Sequence, residues 1–330
     1  MDCERRLHQR TYGGVGTNAK HLVVHERTTR LVGVSPEDGT TLWEHAGFEH
    51  PGGVTVIGER CLVQAQCQSR QVCLDARSGE RLWGAPGPHL TGHLVVVDED
   101  TVIVGGERRA ALRAVDTATG GVRWTRADLV RHLRPAVSAA GVLVGAPDGR
   151  SVLLVDVRDG QDLAEWPLPE PIAGPGHVAR ITVVDADRVV VRCGTSSVVE
   201  IVPSTGGVRE IIRAERSLSD TPPVVAGGVS WLRKEHTGLV VVGSDGEVRE
   251  TGVRQEVVNQ VIPFDGGFVV AGKAGSLIRL DGGGRRVARA VVAHRIRAIH
   301  PFGAERVLVA TKGTLRAISL SSVPWVTRTR

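Results

Sequence analysis

Aromatic side chains are scarce in this chain: six Trp, four Phe and one Tyr occur among 330 residues. Lysine is also scarce, because Arg supplies all but four of the 41 basic residues, and the excess over 36 acidic residues is only +5. Nucleic-acid surfaces need basic residues clustered with aromatic residues that stack on bases. The sequence contains no run of five basic residues, so it predicts no nucleic-acid partner.

Long apolar segments are missing too. No run approaches the roughly 18 residues that a membrane helix needs, and the N-terminal MDCERRLHQRTYGG lacks the apolar core of a signal peptide. The five Cys residues form no CxxC pair, which removes the usual zinc and redox spacings. We therefore expect a soluble, cytoplasmic protein with reduced thiols and no membrane partner.

An internal repeat is the strongest feature that the sequence does contain. Short apolar segments end in a turn and then a Trp at positions 43, 83, 124, 166 and 325. The turn glycines recur at intervals of 37 to 46 residues, and they are Gly39, Gly79, Gly120, Gly160, Gly206, Gly246 and Gly283. An eighth turn near Ser322 has no Gly, and the fifth to seventh units have no Trp at the motif position. A period of this length indicates a repeat architecture.

Each unit reads as four short strands, most clearly over residues 92–126, where apolar residues alternate between turns rich in Gly, Asp and Thr. Four-stranded units repeated every 40 to 45 residues are typical of propeller blades. The sequence predicts an all-β, single-domain β-propeller over residues 1–330 with eight four-stranded blades, or seven as the alternative. Residues 7–14 and 323–328 are expected as the first and last blade strands, unless an end strand completes the other terminus's blade.

The third repeat carries a recognisable pattern, Ala114-x-Asp116-x-x-Thr119-Gly120-x-x-x-Trp124, and residues 73–83 and 33–43 match it in part. This pattern resembles the repeat of the quinoprotein (PQQ-like) propeller superfamily. The resemblance implies the fold for the whole chain. It also implies that the motif joins neighbouring blades and does not itself bind quinone.

The same resemblance shapes the cofactor expectation. Quinoprotein dehydrogenases carry adjacent cysteines over the cofactor, and this chain has no Cys-Cys pair, so PQQ is not an expected cofactor. The outer-membrane assembly lipoprotein with the same repeat has a lipobox cysteine behind a signal peptide, whereas nothing apolar precedes Cys3. We therefore expect the chain to belong to neither group.

Candidate functional groups fall in the connections between one blade's outer strand and the next blade's inner strand, which meet at one mouth of a propeller. The candidate acid–base groups are His50, His93, His132, His177, His294 and Glu256. The candidate ligand-holding groups are Arg134, Arg180, Arg295, Arg297 and Asn259. A funnel of imidazole and guanidinium groups would attract a small anionic organic molecule. Converging imidazoles could also hold a divalent metal. The first hypothesis is a redox-neutral enzyme of the lyase, cyclase or isomerase type.

A structural role for these histidines is the competing hypothesis. Gly92-His93 and Gly176-His177 look like the Gly-His pair that opens blades in WD-type propellers, where the imidazole only bonds a neighbouring strand. The protein would then be an interaction scaffold whose rim and Pro-rich loop at 166–176 bind a protein partner. The Walker-like spacing at 267–273 is expected to be the second strand of blade seven, because no helix pattern follows it.

Overall fold

Short strands rich in Val, Leu and Ile form the regular structure of the chain, apart from one 3-10 turn at Leu320–Ser322 among the described residues. The computed structural model describes residues 4–6, 14–18, 20–26, 29–48, 51–65, 70–87, 92–106, 111–129, 134–172, 180–213, 224–233, 238–243 and 247–327. The strands form eight successive sheets, so the all-β class and the eight four-stranded blades of the predicted propeller are confirmed.

The chain divides into two compact units. The N-terminal unit comprises Arg5–Pro169 with Pro175–His177, and the C-terminal unit comprises Met1–Glu4, Glu170–Gly174 and Val178–Arg330. The first strand, β1 (Glu4–Arg6), spans this division. Each unit contains four of the sheets.

In the N-terminal unit each sheet is an antiparallel meander whose strands are paired in chain order. These strands are β2 (Val15–Thr17), β3 (Leu22–Glu26), β4 (Arg30–Val34), β5 (Thr41–Ala46), β6 (Pro51–Ile57), β7 (Arg60–Ala65), β8 (Arg70–Asp75), β9 (Arg81–Pro86), β10 (Gly92–Val96), β11 (Thr101–Gly106), β12 (Leu112–Asp116), β13 (Val122–Arg126), β14 (Ala136–Ser138), β15 (Gly141–Gly145), β16 (Ser151–Val155) and β17 (Asp162–Pro167).

The C-terminal unit repeats this arrangement. Its strands are β18 (Ile181–Asp185), β19 (Arg188–Cys193), β20 (Ser197–Val202), β21 (Gly207–Arg213), β22 (Val224–Ala226), β23 (Val229–Arg233), β24 (Leu239–Val242), β25 (Val248–Glu250), β26 (Val257–Phe264), β27 (Gly267–Gly272), β28 (Ser276–Leu280), β29 (Arg286–Val291), β30 (Ala298–Pro301), β31 (Arg306–Ala310), β32 (Thr314–Ser319) and β33 (Val326–Thr327). The Walker-like segment is β27, the second strand of its sheet, as predicted.

The two chain ends differ from the first of the two predicted arrangements. β33 pairs with β29 as a fifth strand, through Val326 opposite Arg289 and Thr327 opposite Ala288. Residues 323–328 therefore do not form the outer strand of the eighth sheet, and that prediction was wrong. The outer strand is instead β1, which lies beside β32. The alternative, in which an end strand completes the other terminus's blade, is confirmed. The inner strand described for the first sheet is β2, and residues 7–13 of the predicted inner strand lie outside the described residues.

The second and third strands of each sheet carry the core. β3, β15 and β16 are buried along their whole length, whereas the outer strands β5 and β13 are mostly exposed and only their Trp is buried. Continuous apolar runs suit strands that are covered on both faces, and alternation suits strands covered on one face. The outer strands therefore keep their Trp inward and present charged residues to solvent.

The repeat motif acts as a joint between successive sheets in the N-terminal unit. The indole Nε1 of Trp43 donates to the carbonyl oxygen of Ala76 (3.0 Å), that of Trp83 to Thr117 (2.8 Å) and that of Trp124 to Val157 (2.7 Å). Each indole also lies over the turn glycine of the next sheet, and these glycines are Gly79, Gly120 and Gly160. The implied joining role of the motif is thus explained by one repeated contact.

A different aromatic pair occupies the C-terminal unit, where the motif Trp is missing from three units. Trp231, on β23, is 1% exposed and meets Phe268 of β27 edge-on, with ring centroids 4.7 Å apart. This Trp lies on the second strand of its sheet rather than on the outer strand, so the motif search passes over it. It supplies the bulk that the outer-strand Trp supplies in the N-terminal unit.

Buried thiols complete the core. Cys61 is opposite Leu74, and Cys73 is opposite Leu62, which places the two Cys side chains on opposite faces of one sheet. Burial raises the pKa of the Cys61 thiol, and it raises the pKa of Cys73 to about 11. Cys193 is buried as well. These are the unreactive core thiols that the sequence predicts, because the thiol rather than the thiolate is the stable form.

Candidate functional site

Several of the predicted site residues cannot be placed. His50, His132 and His177 lie outside the described residues. For His93 on β10 and Asn259 on β26 the backbone is described and the side chain lies outside the description. The predicted convergence of imidazoles therefore stays a prediction.

One end of the β26–β29 sheet does bring predicted residues together. Glu256 immediately precedes β26, and its carboxylate forms an ion pair with Lys273 in the turn after β27. The backbone of Lys273 also donates to the Glu256 carbonyl oxygen (3.0 Å). The carbonyl oxygen of Gly275, in the same turn, accepts from Val292 and Ala293, which lead into the loop that holds His294.

This arrangement changes the role expected of Glu256. A general base needs a carboxylate that is available to substrate, with a pKa matched to its task. The Glu256 carboxylate is instead engaged by an ammonium group at the protein surface. The pairing favours a structural role for Glu256, joining the strand that it precedes to the adjacent turn.

The three predicted residues of the next connection lie in one exposed loop between β29 and β30. His294, Arg295 and Arg297 are all exposed. Arg295 has φ +61°, a left-handed conformation that is unusual for a residue other than Gly. The backbone N–H of Arg297 donates to Ala310 (2.8 Å), which begins the pairing of β30 with β31. The loop is fixed by this backbone bond and by the buried side chain of Ile296, whereas His294, Arg295 and Arg297 face solvent.

Arg180 and Arg134 have opposite environments. Arg180 directly precedes β18 and is only 2% exposed, with its carbonyl oxygen accepting from Arg192, another buried arginine. Arg134, before β14, is exposed, yet desolvation by the surrounding protein lowers its pKa. Of the two, only Arg134 has a side chain that is exposed to solvent.

The described residues show neither a metal-binding cluster nor a membrane-spanning helix. Within the described ranges, no three His, Cys, Asp or Glu side chains converge in a way that could hold a metal ion. No described helix is long and apolar enough to cross a membrane.

Sequence reasoning missed two cavities in the C-terminal unit. A cavity of about 940 Å³ lies beside the turn between β26 and β27, and its lining includes Phe264, Phe268 and Trp325. Its polar lining includes Arg279, which lies 5.6 Å above the Phe264 ring and donates to Asp265 (2.5 Å). These residues come from turns within sheets and from the segment after β32, whereas the sequence search covered only connections between sheets.

The second cavity, of about 380 Å³, lies against the connection between β25 and β26. It is lined by Gly252, Val253, Arg254, Gln255, Ile278 and Arg286. Of these residues, only Gln255 is directly adjacent in sequence to a predicted site residue, Glu256. Nothing in the sequence pattern pairs Arg254 with Arg286, because the two residues line one cavity only when β29 folds back beside that connection.

The amino-acid sequence of this chain matches a known protein family. A family model described as "Outer membrane protein assembly factor BamB" matches residues 4–83 and 68–281, most of the chain. The chain belongs to this BamB family. The earlier expectation that it lies outside the assembly-lipoprotein group was therefore wrong. That expectation rested on a leader and a lipobox cysteine, whereas the family match rests on the blade repeats.

Individual relatives of the BamB family match less of the sequence. The BamB of Burkholderia pseudomallei (strain K96243) is 34% identical over 106 residues, which are 28% of this chain and 27% of that protein. The match thus spans about a quarter of the curated relative's length. The PQQ-like repeat resemblance is confirmed, and no single member of the superfamily is assigned.

Solved structures extend the likeness to the whole fold. BamB from Moraxella catarrhalis has a TM-score of 0.71 at 17% identity, covering 95% of this chain and 97% of that one. The computationally designed Ika8 protein scores 0.74 at 14% identity, covering 95% and 98%. Saccharomyces cerevisiae Sqt1 scores 0.70 at 9% identity, covering 96% and 98%. At these identities the likeness concerns the fold alone, which hosts unrelated functions.

Proposed function

We propose that this chain is a protein-interaction scaffold, the second of the two hypotheses from the sequence, rather than an enzyme acting on a small anion. The observation that carries the proposal is the family match over most of the chain, to a family whose description is that of a protein assembly factor. We infer that the chain, like the relative so described, takes part in assembling protein partners.

The described geometry is consistent with this role. Of the predicted catalytic groups with described side chains, Glu256 is ion-paired to Lys273 and His294 lies in an exposed loop. In the N-terminal unit successive sheets are joined by repeated indole contacts with turns, which keep those turns in fixed positions. A rigid framework lowers the ordering entropy that binding must overcome. Cytoplasmic location stays a prediction, as does the small-anion ligand.

Affinity capture with a fold-matched control tests the proposal. The purified chain is immobilised and exposed to extract of its source cells, and retained proteins are quantified by mass spectrometry. The designed Ika8 protein, which shares the fold at 14% identity, serves as the control surface. We expect a small set of proteins to be retained by the natural chain alone, and one of them to form a stoichiometric complex when both components are pure.

Two results would overturn the scaffold proposal. One is equal retention on both immobilised propellers, which would mean that capture reflects the fold's general surface. The other is a metabolite carboxylate that both stabilises the chain against heat and is turned over by it, with that turnover lost in Arg134→Gln. The second result would restore the enzyme hypothesis.

A further inference from the structure

Two arginines without partners line one polar cleft in the C-terminal unit. Arg254, in the connection between β25 and β26, and Arg286, the first residue of β29, both face the cavity of about 380 Å³. Both are exposed, and within the described part of the chain neither side chain forms a hydrogen bond or ion pair. Other described arginines pair with a nearby carboxylate, as Arg279 does with Asp265.

Carboxylates close by in the sequence are already engaged. Glu256 pairs with Lys273, and Asp265 pairs with Arg279. The Asp281 carboxylate accepts from the backbone N–H groups of Gly283 (3.0 Å) and Arg285 (2.8 Å). None of these three carboxylates pairs with Arg254 or Arg286, so both guanidinium groups keep their donors for an anion.

The cleft is also kept open by a glycine. A Cβ built on Gly252 would lie 3.7 Å from the Arg286 Cβ, so a side chain at 252 would occupy the space in front of Arg286. Gly252 does not have a left-handed φ, so the backbone itself would accept another residue. On the far side, Gln255 is held by its amide, which donates to the Ser276 hydroxyl (3.3 Å). Gly252 is therefore distinguished by the space that it leaves in front of Arg286 and not by a strained backbone conformation.

We propose that this cleft binds the carboxylate side chains of an acidic segment of a protein partner. Guanidinium groups recognise carboxylates through paired, charge-assisted hydrogen bonds. A volume near the lower end of ligand cavities accommodates one or two side chains rather than a folded element. The choice of a protein segment over another oxyanion rests on the proposed scaffold function. The cleft itself is independent of that function.

Fluorescence anisotropy with fluorescein-labelled hexaglutamate tests the site at 0.15 M salt. We expect the double variant Arg254→Gln with Arg286→Gln to weaken binding by about tenfold or more, since hydrogen bonds to charged groups contribute about 1.5–3 kcal/mol each. Gly252→Leu should weaken binding comparably while keeping both arginines and the net charge. Circular dichroism establishes that each variant is folded.

Arg77→Gln is the matched control, because Arg77 is exposed, lacks a side-chain partner and lies in the turn after β8. Its hexaglutamate affinity should equal that of the wild type.

An equal loss of affinity in Arg77→Gln and in either cleft variant would overturn the proposal in favour of attraction by net charge. Unchanged affinity in Gly252→Leu would overturn it as well. If inorganic phosphate stabilises the chain against heat and hexaglutamate does not bind, the assignment of an acidic segment would be overturned. Capture of a partner whose binding survives all the cleft variants would retain the scaffold function and remove this site.

Discussion

The contacts of single residues explain why the repeat motif requires particular residue types at its fixed positions. In the third sheet the Asp116 Oδ1 accepts from the backbone N–H of Ala118 (3.0 Å) and Thr119 (2.9 Å), which closes the turn. Gly120 then takes φ +73°, and the Trp83 ring lies directly over it. Asp, Thr, Gly and Trp thus each meet one requirement of the joint.

Gly120→Ala should be markedly more destabilising than Gly206→Ala. Both glycines have a left-handed φ, +73° and +70°, which costs a non-Gly residue about 1–2 kcal/mol. A Cβ on Gly120 would also lie 2.6 Å from the Trp83 ring, whereas nothing lies within 4 Å of one on Gly206. Overpacking adds about 1–3 kcal/mol. Urea unfolding should therefore give a loss near 3 kcal/mol for Gly120→Ala and near 1 kcal/mol for the control.

Equal losses in these two variants would show that the indole moves aside without cost. In that case the turn conformation alone would explain the glycine in the motif.

Arg123→Gln should raise the pKa of Asp116. The hydrogen bond from Arg123 (2.7 Å) is the main cause that lowers the pKa of this carboxyl to about 2, and burial opposes it. Without the guanidinium, the remaining turn hydrogen bonds should hold the pKa between 2 and the ordinary 3.8. Carbon-13 NMR titration of the carboxyl group measures this shift. Arg77→Gln, in the equivalent turn of another sheet, should leave Asp116 unchanged.

At the scale of elements, the N-terminal strand is tied down by a buried charge. Glu26, the last residue of β3, is fully buried, and its carboxylate accepts from the Arg5 Nε (2.6 Å). Arg5 also donates to the Gly39 carbonyl oxygen (2.9 Å), and Arg30 lies 3.8 Å from the second carboxylate oxygen. A three-residue strand has too few ladder bonds to hold itself, so this ion pair supplies the anchor for β1.

Arg5→Ala should destabilise the protein strongly and loosen β1. Removing one partner of a buried ion pair costs about 3–5 kcal/mol, and Arg30 should keep the loss near the lower value. Arg6→Ala is the control on the same strand, because Arg6 is exposed and has no partner. Urea unfolding and hydrogen exchange of the β32 amides are the measurements. Faster exchange in both variants alike would mean that strand pairing alone holds β1.

The termini also show where prediction from sequence stops. The inner meanders were predictable, because apolar alternation and turn residues are local signals. The pairing of β33 with β29 was not, since Val326 is 71% exposed and only two residues pair. β1 is also short, with three residues, and its partner strand β32 lies near the other end of the chain. Neither strand has a pattern that distinguishes one edge from another.

At the scale of the whole molecule, the eight sheets follow from the repeat, while the site does not. The spacing of the turn glycines predicted the number of blades. The indole contacts with these glycines explain why that spacing is kept in the N-terminal unit. The Arg254–Arg286 cleft depends on two side chains 32 positions apart that no local rule connects. Glu256 was chosen for its residue type, and only its neighbour Lys273 reveals that it is already paired.

Stability of the whole chain should fall in two steps as the pH decreases. Burial lowers the pKa of His300 below 6.5, so below that pH the unfolded chain binds a proton that the folded chain does not. Hydrogen bonds lower the pKa of many carboxyls, which include Asp38, Glu59, Asp75, Asp116, Asp128, Asp156, Asp187 and Glu210. Their contribution is complete above about pH 5, since the ordinary pKa is 3.8 for Asp and 4.5 for Glu, and it is lost as the pH falls toward about 2.

The His300→Gln variant separates the two steps. One titrating group can change the free energy of unfolding by at most about 1.4 kcal/mol per pH unit. Urea unfolding at pH 7, 6, 5, 4 and 3 should show that His300→Gln flattens the curve between pH 7 and 5 and leaves the steeper loss below pH 4. His294→Gln, which changes an exposed imidazole, is the matched substitution measured beside it. An unaltered slope above pH 5 in His300→Gln would mean that His300 stays protonatable in the fold, because only a group that binds protons differently in the two states can move that part of the curve.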